Sequence, residues 1–151
     1  MNRRKKALRV LVVEDSDDQW QITQRAFRQV IPEAQVARVA NEQEAVGFLN
    51  RCVVQEWDFP EFILLDLYLP QREDGWRELE EVRALPAPLN RIPVVMLSSS
   101  DRPDDIREAY QHGCTSYLVK PTSYDEWLHY FTTLRNFWID TATLPQLPFV
   151  L

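Results

Sequence analysis

Phe62-Ile63-Leu64-Leu65 is four apolar residues in a row, preceded by Pro60-Glu61 and ended by Asp66. A strand with one solvent face would alternate apolar and polar side chains. This stretch does not alternate, so both of its faces are expected to be buried. The same signature recurs outward from it. Leu8-Arg9-Val10-Leu11-Val12-Val13 is rich in β-branched residues and stops at Glu14-Asp15. Ile92-Pro93-Val94-Val95-Met96-Leu97 stops at Ser98-Ser99-Ser100, and the shorter Ser116-Tyr117-Leu118-Val119 stops at Lys120-Pro121. Gln35–Val39 is a fifth, weaker strand.

Helical periodicity fills the gaps. Trp20, Ile22, Ala26, Phe27 and Val30 form a stripe that Ser16 or Asp17 can cap and Pro32 closes. Asn41 and Glu44 have capping-box spacing ahead of Ala45, Val46, Phe48 and Leu49. A loop with Pro70, Asp74 and Gly75 precedes a helix predicted from about Gly75 to Ala84. Pro103 suits the first turn of the next helix and Gly113 its left-handed C-terminal position. The last helix is predicted from near Ser123 to about Thr141, ahead of a tail marked by Pro145 and Pro148. Five strands, several with continuous apolar runs, alternating with five helices make an α/β protein: a doubly wound, five-stranded parallel sheet.

The 151 residues suit one domain, with a basic tail over 1–6, the domain over 7–141 and a C-terminal tail over 142–151. Arg3, Arg4, Lys5, Lys6 and Arg9 crowd the first nine residues, which hold no acid. The remainder carries twelve basic against twenty-three acidic residues, a poor match for a nucleic-acid backbone. The basic start reads as a solvated tail, because it is short and has no interleaved aromatics. Cys52 and Cys114 form no CxxC pair and no secreted disulfide framework. No apolar run approaches the roughly 18 residues of a membrane span, and no signal-peptide pattern is present. A reducing cytoplasm is the expected compartment.

In an open parallel sheet, ligands bind at the carboxyl ends of the strands, near the reversal of strand order. Glu14, Asp15, Asp66, Ser98 and Lys120 all stand at such ends. Taken singly, each acid is a common turn or capping residue. Together they place three carboxylates, a hydroxyl and an ammonium on one rim. Clustered carboxylates repel unless a cation or proton intervenes. Mg2+ takes oxygen ligands from one or two carboxylates plus phosphate oxygens. Ser98 and Lys120 can then meet a phosphoryl group, and an aspartate can itself become an acyl phosphate.

With these residues in this order, the chain resembles a response-regulator receiver domain of two-component signalling, a flavodoxin-like fold. The resemblance spans about residues 7–140 and rests on Val10-Leu11-Val12-Val13-Glu14-Asp15, Leu64-Leu65-Asp66, Pro70, Asp74-Gly75, Met96-Leu97-Ser98 and Tyr117-Leu118-Val119-Lys120-Pro121. It implies that Asp66 is the phosphoacceptor. Asp15 would be a direct Mg2+ ligand, Glu14 would act mainly through water, and the Tyr68 backbone carbonyl would complete the metal's protein ligands. Ser98 matches the hydroxyl that moves to the phosphoryl group, Lys120 its cationic partner, and Tyr117 the switching aromatic. The alternative for Tyr117 is a static, half-buried strand aromatic. Two departures stand out. Three residues rather than two separate Pro70 from Asp74, and a large aromatic, Tyr68, follows two positions after the acceptor. Tyr68 is expected to shield the phosphoryl group from water, with Ser99 and Ser100 as weaker modulators of its lifetime.

The segment Phe137-Trp138-Ile139-Asp140-Thr141-Ala142-Thr143-Leu144-Pro145 resembles the end of single-domain regulators serving phytochrome-type histidine kinases. That resemblance implies a sensor histidine kinase as phosphodonor and a homodimer. The last helix carries Trp127, Leu128, Tyr130, Phe131, Leu134, Phe137, Trp138 and Ile139, either a broad core face or an additional apolar patch for a dimer or a downstream protein. No output domain is expected after it. An aspartate-nucleophile phosphatase is disfavoured because Tyr68 stands where its second aspartate would be. A flavin-binding protein is disfavoured because acids, not a Ser/Thr/Gly loop, follow the first strand. A phosphorylation-independent interaction module on the same fold is the remaining alternative.

Overall fold

The structure is a computed structural model and describes residues 8–55, 59–66 and 72–137. Five strands form one parallel sheet: β1 (Arg9–Val13), β2 (Gln35–Val39), β3 (Phe62–Asp66), β4 (Val94–Ser98) and β5 (Ser116–Val119). Their spatial order is β2-β1-β3-β4-β5. The connections are α1 (Asp17–Val30), α2 (Glu42–Val54), α3 (Arg72–Arg83) and α4 (Pro103–Gln111), and α5 (Tyr124–Arg135) follows β5. A single 3-10 turn at Leu89–Arg91 leads into β4.

The unbroken apolar runs have the cause expected of them. Successive side chains of a strand point to opposite faces, and both faces here are covered. Leu11, Val13, Ile63, Leu65, Val94 and Met96 pack with Leu49 of α2 and Leu79 of α3. Val10, Val12, Phe62, Leu64, Val95 and Leu97 pack instead with Phe27 of α1 and Phe131 of α5. Those two rings meet edge-on, their centroids 4.5 Å apart.

The helix boundaries follow short-range chemistry. Ser16 caps α1 by accepting the Gln19 N–H, and Asn41 caps α2 by accepting the Glu44 N–H at 2.9 Å. The Glu44 carboxylate reaches back to the Ala40 N–H at 2.6 Å, one residue before the usual capping-box partner. Pro103 opens α4, and Gly113 follows it with φ +108°.

Two boundaries differ from expectation. Helix α3 starts at Arg72, so Asp74 and Gly75 lie in its first turn rather than in a preceding loop. Regular α5 ends at Arg135, a π-type turn continues through Asn136 and Phe137, and the remainder of the expected helix, 138–141, falls outside the described residues. The tails over 1–6 and 142–151 also lie outside them. The α5 surface is less surplus than its composition suggests. Trp127, Phe131 and Leu134 are buried, while Leu128 and Tyr130 pack partly against the core. Phe137 is 54% exposed.

Candidate functional site

The sheet register assembles the expected rim. Val13 pairs with Leu65, so Glu14 and Asp66 follow at the same level on neighbouring strands. Asp66 pairs with Leu97, and Ser98 pairs with Val119, which puts Lys120 one residue beyond Ser98's partner. The Lys120 N–H donates to the Ser98 carbonyl at 2.7 Å. The backbone positions of Glu14, Asp66, Ser98 and Lys120 therefore line one edge, across four adjacent strands. The order reverses between β1 and β3, the point where parallel sheets of this kind bind ligands, and Asp15 follows β1 there. The Asp66 carboxylate and the whole of Tyr68 and Pro70 lie outside the described side chains and residues.

The two acids after β1 have different surroundings. Glu14 is completely buried, and its carboxylate accepts the Ser16 N–H at 2.9 Å. Its own N–H donates to the Val39 carbonyl at 2.9 Å. Asp15 is exposed on the rim. One carboxylate is thus held by its own turn while the next faces solvent. Hard oxygen donors from adjacent strand ends fit Mg2+, which prefers oxygen ligands and keeps several waters.

Arg38, at the end of β2, is a residue that sequence reading missed. Its Nε donates to the Glu14 carbonyl at 3.0 Å and its Nη1 to Asp17 at 2.7 Å. The guanidinium also lies over the Trp20 ring, 5.8 Å from its centroid. A fixed positive charge therefore stands behind the acidic turn and fixes its backbone. Its place in a weak strand gave no signal of this.

On the opposite side, the loop from β4 to α4 is organised around Ser100. The Ser100 N–H donates to Ser98 Oγ at 3.2 Å. The Ser100 hydroxyl donates to Asp105 Oδ2 at 2.5 Å and accepts the Arg102 N–H at 3.3 Å. The Ser100 carbonyl accepts the Tyr117 hydroxyl at 2.8 Å. Tyr117 is half-buried against the core, and its N–H donates to the Tyr110 hydroxyl at 3.2 Å. Ser99 is exposed. The hydroxyl proton of Ser100 is thus committed to Asp105, while Ser99 keeps an open face.

Comparison with known proteins places this geometry in context. The sequence profile of the response regulator receiver domain matches residues 10–132. Response regulator Rcp1 of Synechocystis sp. is 30% identical, over 90% of this chain and 92% of that protein. The solved Mn2+-bound form of Rcp1 superposes with a TM-score of 0.74 at 30% identity, covering 91% of this chain and 98% of that one. The phosphorylated cyanobacterial phytochrome response regulator RcpA is 32% identical with a TM-score of 0.78, covering 93% of this chain and 99% of that one. A response regulator in red light signalling of R. palustris, RPA3017, is 28% identical with a TM-score of 0.80, over 91% of this chain and 97% of that one.

Proposed function

The chain belongs to the response regulator receiver domain family, and from that premise we propose that it takes a phosphoryl group from a sensor histidine kinase onto Asp66 and signals through altered protein–protein contacts. The kinase is of phytochrome type, a reading supported by the cyanobacterial and R. palustris relatives. The observation that carries the proposal is the register, which aligns Glu14, Asp66, Ser98 and Lys120 along one sheet edge with Asp15 exposed beside them.

In the transfer, the bond from phosphorus to the kinase's histidine nitrogen breaks, and the nitrogen keeps the electron pair. A bond forms from phosphorus to a carboxylate oxygen of Asp66. Little covalent chemistry is left to the protein, so positioning and charge neutralisation do most of the catalysis. Asp15, Asp66, the Tyr68 carbonyl and, through water, Glu14 would hold Mg2+, which supplies charge neutralisation at the phosphoryl oxygens when bound. Lys120 supplies a second positive charge from the β5 side. The Ser98 hydroxyl donates to a phosphoryl oxygen, which draws its loop toward Asp66. Tyr117 follows, because its hydroxyl is held by that same loop. The protein itself performs only slow self-phosphorylation and self-dephosphorylation.

Incubation with acetyl phosphate and Mg2+, followed by intact-mass measurement, tests the assignment. One phosphoryl group is expected on the wild type, none on Asp66→Asn, and none in excess EDTA. Equal modification of Asp66→Asn refutes it, and an unmodified wild type favours the phosphorylation-independent module.

The homodimer is part of the same proposal. A groove of about 430 Å³ runs between β5 and α5, lined by Leu118, Tyr130, Leu134 and the exposed Phe137. Phe137 and the neighbouring α4–β5–α5 surface make a two-fold contact. Sedimentation at micromolar concentration should show a dimer that Phe137→Glu dissociates.

A further inference from the structure

We infer that Asp105 is a positioning residue for the phosphoryl switch: its carboxylate holds Ser100, and Ser100 in turn holds both Ser98 and Tyr117. The inference rests on the receiver reading above and adds to it a residue that neither the motif nor the strand-end pattern marks.

Three observations carry it. Asp105 is 9% exposed although it is an acid in the first turn of a surface helix, where its neighbour Asp104 stays in solvent. The Ser100 hydroxyl donates to it at 2.5 Å, the length of a strong bond to a charged acceptor. Ser100 then touches each expected switch residue through its backbone: its N–H donates to Ser98 Oγ, and its carbonyl accepts the Tyr117 hydroxyl. A backbone group can do this only if the loop path is fixed. Arg102, the residue preceding α4, offers no side-chain cap. Its N–H is met by the Ser100 hydroxyl. Ser100 thus accepts from Arg102 and donates to Asp105, which sets its orientation at both ends.

The consequence is directional. With Asp105 in place, the Ser100 carbonyl sits where the Tyr117 hydroxyl can reach it before any phosphoryl group is bound. The loop that carries Ser98 is then pre-organised for the transfer. Without Asp105, Ser100 loses its acceptor, the carbonyl moves, and Tyr117 loses its partner.

The test uses the full chain labelled with 3-fluorotyrosine, with the Tyr117 19F resonance assigned from Tyr117→Phe. In the absence of any phosphodonor, Asp105→Ala and Ser100→Ala should each move that resonance toward its position in urea. Asp105→Asn, which keeps an acceptor oxygen, should leave it near the wild-type position. With acetyl phosphate, initial phosphorylation of Asp105→Ala should slow on the order of tenfold, the low end of what a hydrogen bond to a charged group contributes. The Ser100→Ala/Asp105→Ala double variant should be no slower than the slower single one. A merely structural acid would lower the melting temperature of Asp105→Ala while leaving the Tyr117 resonance in place at 20 °C, and that result overturns the inference. Additive slowing in the double variant overturns it too. If the wild type takes no phosphoryl group, the receiver reading fails, and the resonance measurements still decide whether Asp105 positions Tyr117.

Discussion

Removing Arg83 should expose how α3 is fastened to the turn between α4 and β5. Its Nε donates to the Gly113 carbonyl at 2.8 Å, and its Nη1 donates to the Ile92 carbonyl at 2.6 Å and the Asn90 carbonyl at 3.1 Å. A hydrogen bond from a charged group contributes about 1.5–3 kcal/mol, and three on one side chain do not add fully. Arg83→Ala should therefore cost about 3–5 kcal/mol. Gly113 stands against the same side chain. Its φ of +108° already strains any L residue, and a Cβ there would sit 2.9 Å from Arg83 Cγ and 3.2 Å from Nε. Gly113→Ala should cost about 1–3 kcal/mol from the backbone alone, with the collision in addition. Arg83→Ala removes the colliding atoms, so only the backbone part remains in the double variant. Urea unfolding of all four proteins by circular dichroism measures the cycle. The double variant should be less destabilised than the sum of the singles by about 1 kcal/mol or more. Additivity within about 0.5 kcal/mol would refute the contact argument.

The remaining expectations are shorter. Burial pushes the Cys114 thiol from an ordinary 9.0 up to about 11, with the nearby Arg83 charge opposing the rise, and burial raises Cys52 as well. The unfolded chain then loses the Cys114 proton first, so its contribution is intact below pH 9 and falls away as the pH rises toward 11. Urea unfolding across that range should show a smaller decline for Cys114→Ala, and parallel declines would contradict this. Asp15→Asn should weaken Mg2+ binding more than Glu14→Gln in a tryptophan-fluorescence titration, whereas loss of the buried acid should cost stability, about 1–3 kcal/mol in urea. Tyr68→Asn should speed decay of the phosphorylated protein, because the ring expected to shield the phosphoryl group from water is gone, without preventing its formation, because Asp66 is unchanged. Slower decay in that variant would count against shielding.

The parts of this protein that were legible in its sequence are those set by short-range rules. Phe62–Leu65 could be read as doubly buried because a strand's faces alternate with period two, whatever covers them. Ser16, Asn41, Pro103 and Gly113 could be read because a helix end is satisfied, or freed, by residues within a turn of it. The rim followed from the same logic: each apolar run stops at a polar residue, and parallel strands bring their ends to one edge. The α3 start was misplaced because Arg72-Glu73-Asp74 carries no apolar residue, so helical periodicity is not visible before Trp76.

The contacts that fasten those parts leave no periodic trace. Arg83 satisfies carbonyls 7, 9 and 30 residues away, and Arg38 reaches back 24 residues to Glu14. Nothing local distinguishes them from solvated surface arginines. Ser100 and Asp105 lie only five residues apart, yet the pair is invisible for another reason. A serine before a helix and an acid in its first turn are ordinary neighbours. Their meaning comes from Tyr117, which reaches Ser100 from a different strand. The rim's residue types stand at strand ends and its backbone alignment comes from the parallel register, while the loop beside Ser98 is held by pairs that tertiary contact creates. A variant with every motif residue intact but Asp105 replaced should keep that register, with the far-ultraviolet circular dichroism of the wild type, and lose the contact between the Tyr117 hydroxyl and the Ser100 carbonyl.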